Sequence, residues 1–548
     1  MKATRLRAPS FDGGLLASPP LDQAAALADA NVRLAASRDF DYQGRSASRL
    51  RAMVRGQAAA EARAYLDEIG VEAPSAAAGE SEGRAGFIVT GHQPELFHPG
   101  VWVKNFAIAG IAAGRGAAAL NLIVDDDIPK STSIRVPHLK DGGLTVRRVE
   151  FDRWEGEVPY EDLPVRDEAL FRSFGGRVRE ELGPLVADPL IDAFWPEVAR
   201  HRDSGLSLGL RVAAARRAVE ASWGVHNLEV PFSRVCQTEG FAWFASHLLA
   251  NLATFQSIHN QALREYRALY KIRSKNHPVS ALKREGDWME APFWIWRAEK
   301  PRRRPLMVRQ EARTMWLRIA DEAEPLLELP LAPDRDACCA VERLLELPGM
   351  GVRLRTRALT TTMFSRYLLS DLFVHGIGGA KYDELGDVIA ARFYGGCEPP
   401  GFLTLSLTSW LGLPETEATP ERIASIDREL RSLEYNPDRH LDGSASPKLD
   451  ALLAEKQDVV GQCPTDPAEK RERFRKIRSL NEALHPFLSA VVDELRERRS
   501  SLLAQWERNR LARNREYALV LHPSNRLRER LTAYAHPQSD ELSDAVES

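Results

Sequence analysis

The sequence predicts an α/β protein with a parallel sheet at its centre and an added α-helical antiparallel coiled-coil region. Three observations carry this. Residues 86–124 read as strand, polar loop, helix and strand. Phe87, Ile88 and Val89 form an apolar run, Thr90 and Gly91 turn the chain, Pro99 and Gly100 turn it again, and an unalternating apolar stretch over 101–113 suits a helix. A second buried strand at 118–124 closes a βαβ unit, which implies a parallel pair. The same grammar returns at 371–393, where Asp371-Leu-Phe-Val-His375 runs into Gly376-Ile-Gly-Gly-Ala-Lys-Tyr-Asp-Glu384 and a helix. Finally, apolar residues after Trp410 fall at heptad spacing. Ile423, Ile426, Leu430 and Leu433 make one segment; Phe474, Ile477, Leu484, Leu488, Val491, Leu495 and Leu502 make another, with Asn481 in a core position.

A chain of 548 residues exceeds one ordinary core, so several domains are expected. Residues 1–72 read as an N-terminal helical segment, in which Leu50, Val54, Ala58, Ala62 and Tyr65 share a face. Residues 73–83 are a low-complexity linker. Residues 84–411 hold the α/β core with inserted helical and hairpin segments: a strand pair over 133–151 turning at Asp141-Gly-Gly143, helices over 160–219, a strand at 227–233, and a long helix over 239–270. An antiparallel hairpin at the sheet edge is expected from 293–296 and 306–308, with Lys300-Pro-Arg-Arg-Arg304 as an exposed charged turn, and a last core strand at 402–407. Residues 412–520 form the coiled-coil region, broken or kinked at Pro486. A helix unbroken over 468–516 would extend about 70 Å at about 1.5 Å per residue. Residues 521–548 read as a polar, acidic tail.

The net charge of −3 gives no global pull toward nucleic acid or anionic lipid. Five cysteines with no CxxC pair fit a reducing compartment. With no signal-peptide pattern and no membrane-spanning apolar stretch, a cytoplasmic protein acting on a small molecule is expected, with no nucleic-acid or membrane partner and homodimerisation through the coiled-coil region.

Chemistry concentrates in three places. The loop Thr90-Gly-His-Gln93 to His98-Pro-Gly100 holds two histidines, a glutamine and a carboxylate between a strand and a helix, where open α/β sheets bind ligands. His92 and His98 are candidate catalytic groups, since imidazole titrates near neutrality, although a histidine here can also simply cap the helix. Thr90, Gly91, Gln93, Gly100 and Lys104 are candidate binding residues. Asp125, Asp126 and Asp127 follow the second strand, and Asp125 and Asp126 are candidates to orient an amine or hold Mg²⁺ beside a phosphate. No established metal-ligand spacing is present. Gly376, Gly378, Gly379, Lys381 and Tyr382 form a glycine turn suited to an anion, without the order of a P-loop or of GxGxxG. His98-Pro-Gly100 resembles part of the HxGH motif of nucleotidyl transferases, with Val101 where the second histidine belongs. Lys271-Ile-Arg-Ser-Lys275 resembles their lysine loop and equally fits a basic helix terminus. Trp288, Trp294 and Trp296 read as hairpin packing, and Cys338-Cys339 as structural.

Taken in order, these segments resemble the bacillithiol-synthesis cysteine-adding enzymes (the BshC type). The resemblance lies in Thr90-Gly-His-Gln93 with His98-Pro-Gly100, in Asp125-Asp-Asp127, in Arg357-Ala-Leu359 with Gly376-Ile-Gly-Gly-Ala-Lys-Tyr382, and in Asn525-Arg-Leu-Arg-Glu-Arg530 after paired helices. It implies a Rossmann-like core and a ligase joining an amino-acid carboxylate, cysteine in that family, to an amine acceptor. ATP and Mg²⁺ enter as the implied means of activation, with Arg357 among the site residues. His92 stands where the family carries glutamine, and Ile377 and Gly379 where it carries proline and glutamate, so the fold transfers more directly than the substrate. A nucleotidyl transferase and a non-catalytic scaffold with a coiled-coil arm are the alternatives.

Overall fold

The computed structural model describes residues 6–77, 80, 85–141, 143–273, 279–442 and 446–536. Part of the 73–83 linker, Gly142 of the expected turn, Ser274 and Lys275 of the basic stretch, and the tail beyond 536 lie outside the described residues. The chain divides into two compact units. One comprises residues 1–136, 147–411 and 515–548; the other comprises 137–146 and 412–514.

The first unit is mixed α/β around a six-stranded sheet. Leu372–His375 pairs in parallel with Phe87–His92, which pairs in parallel with Ala118–Ile123, which pairs in parallel with Leu228–Pro231. On the other flank Leu372–His375 pairs in parallel with Phe402–Leu407, and Leu15–Ser18 adds an antiparallel edge. The five parallel strands therefore stand in the chain order third, second, first, fourth, fifth, and the order reverses between Phe87–His92 and Leu372–His375. Their near-continuous apolar runs follow from burial on both faces. Where polar residues intrude, they are paired. Glu229 accepts from Arg216 Nη2 and Asn121 Nδ2 at 2.6 Å each, and Arg216 also bonds Glu220 at 2.8 Å.

Several sequence expectations change here. The N-terminal segment is helical except for the edge strand Leu15–Ser18 that it supplies, and its helix Ala47–Glu68, capped by Ser46, buries Leu50, Val54, Ala58, Ala62 and Tyr65 in the main core. The hairpin Trp288–Arg297/Lys300–Glu311 does not edge the parallel sheet. It lies inside a second, antiparallel sheet with Thr314–Ile319, Leu327–Leu329 and Val352–Thr356, so Arg302, Arg303 and Arg304 are strand residues rather than a turn. The long helix divides into Glu239–Ala250 and Leu252–Leu269 at Asn251. Residues 515–536 belong to the core unit, where helix Ser524–Thr532 buries Leu527 and Leu531.

The second unit joins the ends of strands Ser133–Lys140 and Gly143–Glu150 to a set of helices, and no sustained coiled coil is seen among the described residues. Pro420–Tyr435 packs on Ser489–Ala512 through Ile423, Ile426, Leu433, Leu488, Leu495 and Leu502. A helix absent from the heptad reading, Pro447–Gly461, pairs with Pro467–Leu484. The long arm is interrupted by a 3₁₀ turn, His485–Leu488, at the expected proline. Two heptad positions miss the core: Phe474 is 68% and Val491 46% exposed. Among the described residues, no helix is long and apolar enough to cross a membrane.

Candidate active site at the carboxyl edge of the parallel sheet

The first strand ends in His92 and the second leads into the aspartate triplet, and a hydrogen bond joins the two loops: Gln93 Nε2 donates to Asp127 Oδ2 at 2.9 Å. Thr90 Oγ1 donates to Val374 O at 2.8 Å and so ties the first strand to the fourth at the point of reversal. Lys104, one turn into the following helix, folds back so that its Nζ donates to Gly91 O at 3.0 Å. That ammonium is 3% exposed, and desolvation brings its pKa down to about 7. Its charge is among the causes that lower the pKa of His92, His98 and His375, after desolvation by burial.

His92 is buried, with its ring against Phe97. Nδ1 faces Gln93 O at 3.2 Å and Nε2 faces Asn105 Oδ1 at 3.1 Å, while Asn105 Nδ2 donates to Glu220 Oε1 and fixes the amide's orientation. Both partners are acceptors, and a neutral ring donates to only one of them. Burial, then the charges of Arg216 and Lys104, hold His92 well below the usual imidazole range. A general base open to substrate is not what this geometry offers; His92 instead links the loop to the buried Asn105–Glu220–Arg216–Glu229 network.

His98 performs the capping role. Its Nδ1 accepts from Gly100 N at 3.1 Å at the start of helix Pro99–Ala113, and burial lowers its pKa to about 4. The HxGH-like reading is left with Nε2, which faces Glu516 at 3.5 Å. Gly100 is required by packing: a Cβ there would lie 2.3 Å from both Leu407 O and Arg515 Nη2.

The three aspartates differ. Asp125 takes the backbone N–H and hydroxyl of Ser233 at 2.9 and 2.5 Å, and burial followed by the Glu161 charge raises it to about 7. Asp126 is buried, and its Oδ1 finds no partner among the described residues. Burial, then Asp125, Asp127 and Glu161, push it well above the carboxylate range. Asp127 is paired with Arg303 at 2.9 Å. Arg303 was legible only as part of a basic run. In the fold it also reaches Asp126 O at 3.4 Å and shares Trp294 with Arg357, their guanidinium carbons 5.3 and 4.1 Å from the ring centroid. Arg357 itself is bonded to Glu290 at 2.6 Å. Behind the triplet, Arg355 holds Glu161 through two bonds of 2.8 and 2.7 Å. A charged residue inside an apolar strand was the one signal for Arg355; nothing local marked Glu161. Among the described residues, no group of three or more His, Cys, Asp or Glu could hold a metal ion.

Across the reversal, His375 Nε2 donates to Asp383 Oδ2 at 2.8 Å, and Asp383 also accepts from Arg366 and Thr362 Oγ1 at 2.6 Å each. Burial works against the Asp383 charge, but Arg366 and His375 hold the carboxyl below its usual range. The glycine turn opens helix Ile377–Phe393, whose first intrahelical bond is Ala380 N to Gly376 O. The N–H groups of Ile377, Gly378 and Gly379 precede it. Beside Gly376 and Gly378 a Cβ would meet open space, whereas at Gly379 it would lie 2.8 Å from His375 Nδ1. Tyr382 packs on the core. Lys381 is exposed, and its carbonyl is the group engaged, by Tyr266 Oη at 3.2 Å. The fold thus joins the His loop, Lys104 and the aspartates, sets the glycine turn on the adjacent strand, and leaves Lys381 outside. No family model and no curated protein matches the chain.

Proposed function

We propose that the chain is a carbon–nitrogen bond-forming ligase, akin to the bacillithiol-synthesis cysteine-adding enzymes, that joins an amino-acid carboxylate to an amine on a Rossmann-like core. One observation carries this reading: the strand order reverses between Phe87–His92 and Leu372–His375. Open α/β sheets bind their ligands at such a reversal, outside the carboxyl ends of the strands. Here that edge carries cationic and acidic groups side by side, as a reaction between a carboxylate and an amine requires.

In this reading the anionic partner lies at the N-terminus of helix Ile377–Phe393, over the open side of Gly376 and Gly378. Lys104, poised near pH 7, takes up a proton as the anion arrives. The unpartnered Asp126 Oδ1 receives the amine, with Asp127 held in place by Gln93 and Arg303. His92, His98 and His375 position these groups rather than exchange protons with substrate. Amide formation from a free carboxylate needs an activated acyl group, so a nucleoside triphosphate enters as co-substrate. The exposed Phe474, Phe487 and Val491 support the helical unit as a homodimer surface.

The test is release of phosphate or pyrophosphate from ATP on incubation with paired panels of amino acids and amines, cysteine and sugar amines among them. Release that needs both partners and yields an amide is expected. If no pair supports release, and neither nucleotide nor amino acid raises the melting temperature, the ligase reading fails. Pyrophosphate without amide points to nucleotidyl transfer instead.

A further inference from the structure

We infer that the amino edge of the parallel sheet, opposite the proposed active site, carries a second site that binds a phosphate-like oxyanion. A small cavity there, about 30 Å³, is lined by Arg38, Arg51, Arg55, Arg366, Tyr367 and Asp371. It lies where the first and fourth strands begin, since Asp371 N donates to Phe87 O and Arg55 Nη1 reaches Ala85 O.

Four guanidinium groups around one small cavity repel each other unless each meets a carboxylate, and two do not. Arg55 is bonded to Asp371 at 2.6 Å, and Arg366 to Asp383 and Asp387. Arg51 Nε, in contrast, donates to the carbonyl of Tyr367 at 3.1 Å, and Arg38 Nη1 to the carbonyl of Glu398 at 3.1 Å. Neither forms an ion pair with a carboxylate among the described residues, although Glu398 also lines the cavity and the charges of Asp39 and Asp371 act on Arg51. Burial and then the neighbouring Arg55 charge work against Arg51 keeping its proton.

An independent observation points the same way. Arg55 Nε, Arg366 Nε and the Tyr367 hydroxyl are buried without a hydrogen-bond partner, on residues 8, 5 and 9% exposed. Buried donors are almost always satisfied, and Arg55, Arg366 and Tyr367 all line the cavity while each keeps one donor without an acceptor among the described residues, so this pocket is rich in donors and short of acceptors. A tetrahedral oxyanion supplies both the charge that Arg38 and Arg51 lack and several acceptor oxygens. A volume near that of one water admits only part of such a group, so its remaining oxygens lie toward the half-exposed Arg38 and Arg51. Free phosphate and the terminal phosphate of an ester share this chemistry.

The experiment is calorimetric titration of the full chain with inorganic phosphate and, separately, phenyl phosphate, alongside melting curves with and without each. Saturable binding and a raised melting temperature are expected. Arg38→Gln/Arg51→Gln should weaken binding by about tenfold or more, and Tyr367→Phe by less. Lys104→Met disables the anion site proposed at the opposite edge, so the binding that persists in this variant is the amino-edge component. Tight phenyl phosphate marks an ester ligand; orthophosphate alone marks the free ion. Absence of binding by both probes, wild-type affinity in the double variant, or loss of binding only in Lys104→Met overturns the proposal. The outcome is independent of the ligase reading, whose assay reports on the other edge.

Discussion

Replacing Lys104 by methionine should make the core unit more stable at neutral pH and flatten its pH profile. The ammonium is buried, donates one hydrogen bond, to Gly91 O at 3.0 Å, and has no carboxylate partner among the described residues. Desolvation brings its pKa from 10.5 to about 7. Between those values the unfolded chain holds the proton and the folded chain does not, so stability rises with pH across this window by about 1.4 kcal/mol per pH unit. Below pH 7 both states are protonated and the full penalty applies, about 5 kcal/mol over the whole interval. Methionine fills similar space without a charge, while leaving the Gly91 carbonyl unmet costs about 1 kcal/mol. Urea denaturation at about pH 7.5, 8.5 and 9.5 measures this. Tryptophan fluorescence reports mainly on the core unit, because of all the tryptophans only Trp506 lies in the helical one. Wild type should gain about 1.4 kcal/mol per pH unit relative to Lys104→Met. Parallel profiles for the two proteins would refute a buried, unpaired lysine.

Asp126→Asn should be neutral or stabilising at pH 7. Its raised folded pKa means that the folded state holds a proton the unfolded state releases above the ordinary carboxyl range, so wild-type stability falls as pH rises from there; the variant's should not, as urea midpoints at pH 4 to 7 will tell. Gly100→Ala should destabilise by about 1–3 kcal/mol or more, because the new Cβ meets the backbone oxygen of Leu407, which cannot swing away. Denaturant midpoints check this. In the helical unit, at concentrations low enough to keep the chain monomeric, Val491→Lys should change stability by less than about 0.5 kcal/mol, whereas Leu495→Lys should melt that unit; circular dichroism melts separate the two, and equal losses would put Val491 in the core.

The sequence alone determined the local elements of the core. Strand Phe402–Leu407 is legible as a mostly apolar run after Gly401, and helix Ile377–Phe393 as the segment that a glycine turn opens after a buried strand, because burial sets the strand's pattern within the segment itself. It also placed the His loop and the aspartates on one edge, since a parallel βαβ unit leaves no other arrangement, and Gln93 bonded to Asp127 is the result. Only the tertiary structure decided how these groups are used. Whether His92 meets substrate or Asn105, whether His98 is a base or a cap, and whether Arg303 is a surface turn or the partner of Asp127 depend on side chains up to 176 positions away in the chain, as for Asp127 and Arg303 (303 − 127 = 176). Phe474 and Val491, alone among the heptad positions named, are exposed for the same reason. Spacing records which residues share a helix face, but a face is buried only when another element covers it, and among the described residues of the second unit Phe474 and Val491 stay exposed. Periodicity is a property of the segment; desolvation, which sets both core membership and the charge of Lys104, belongs to the packed molecule.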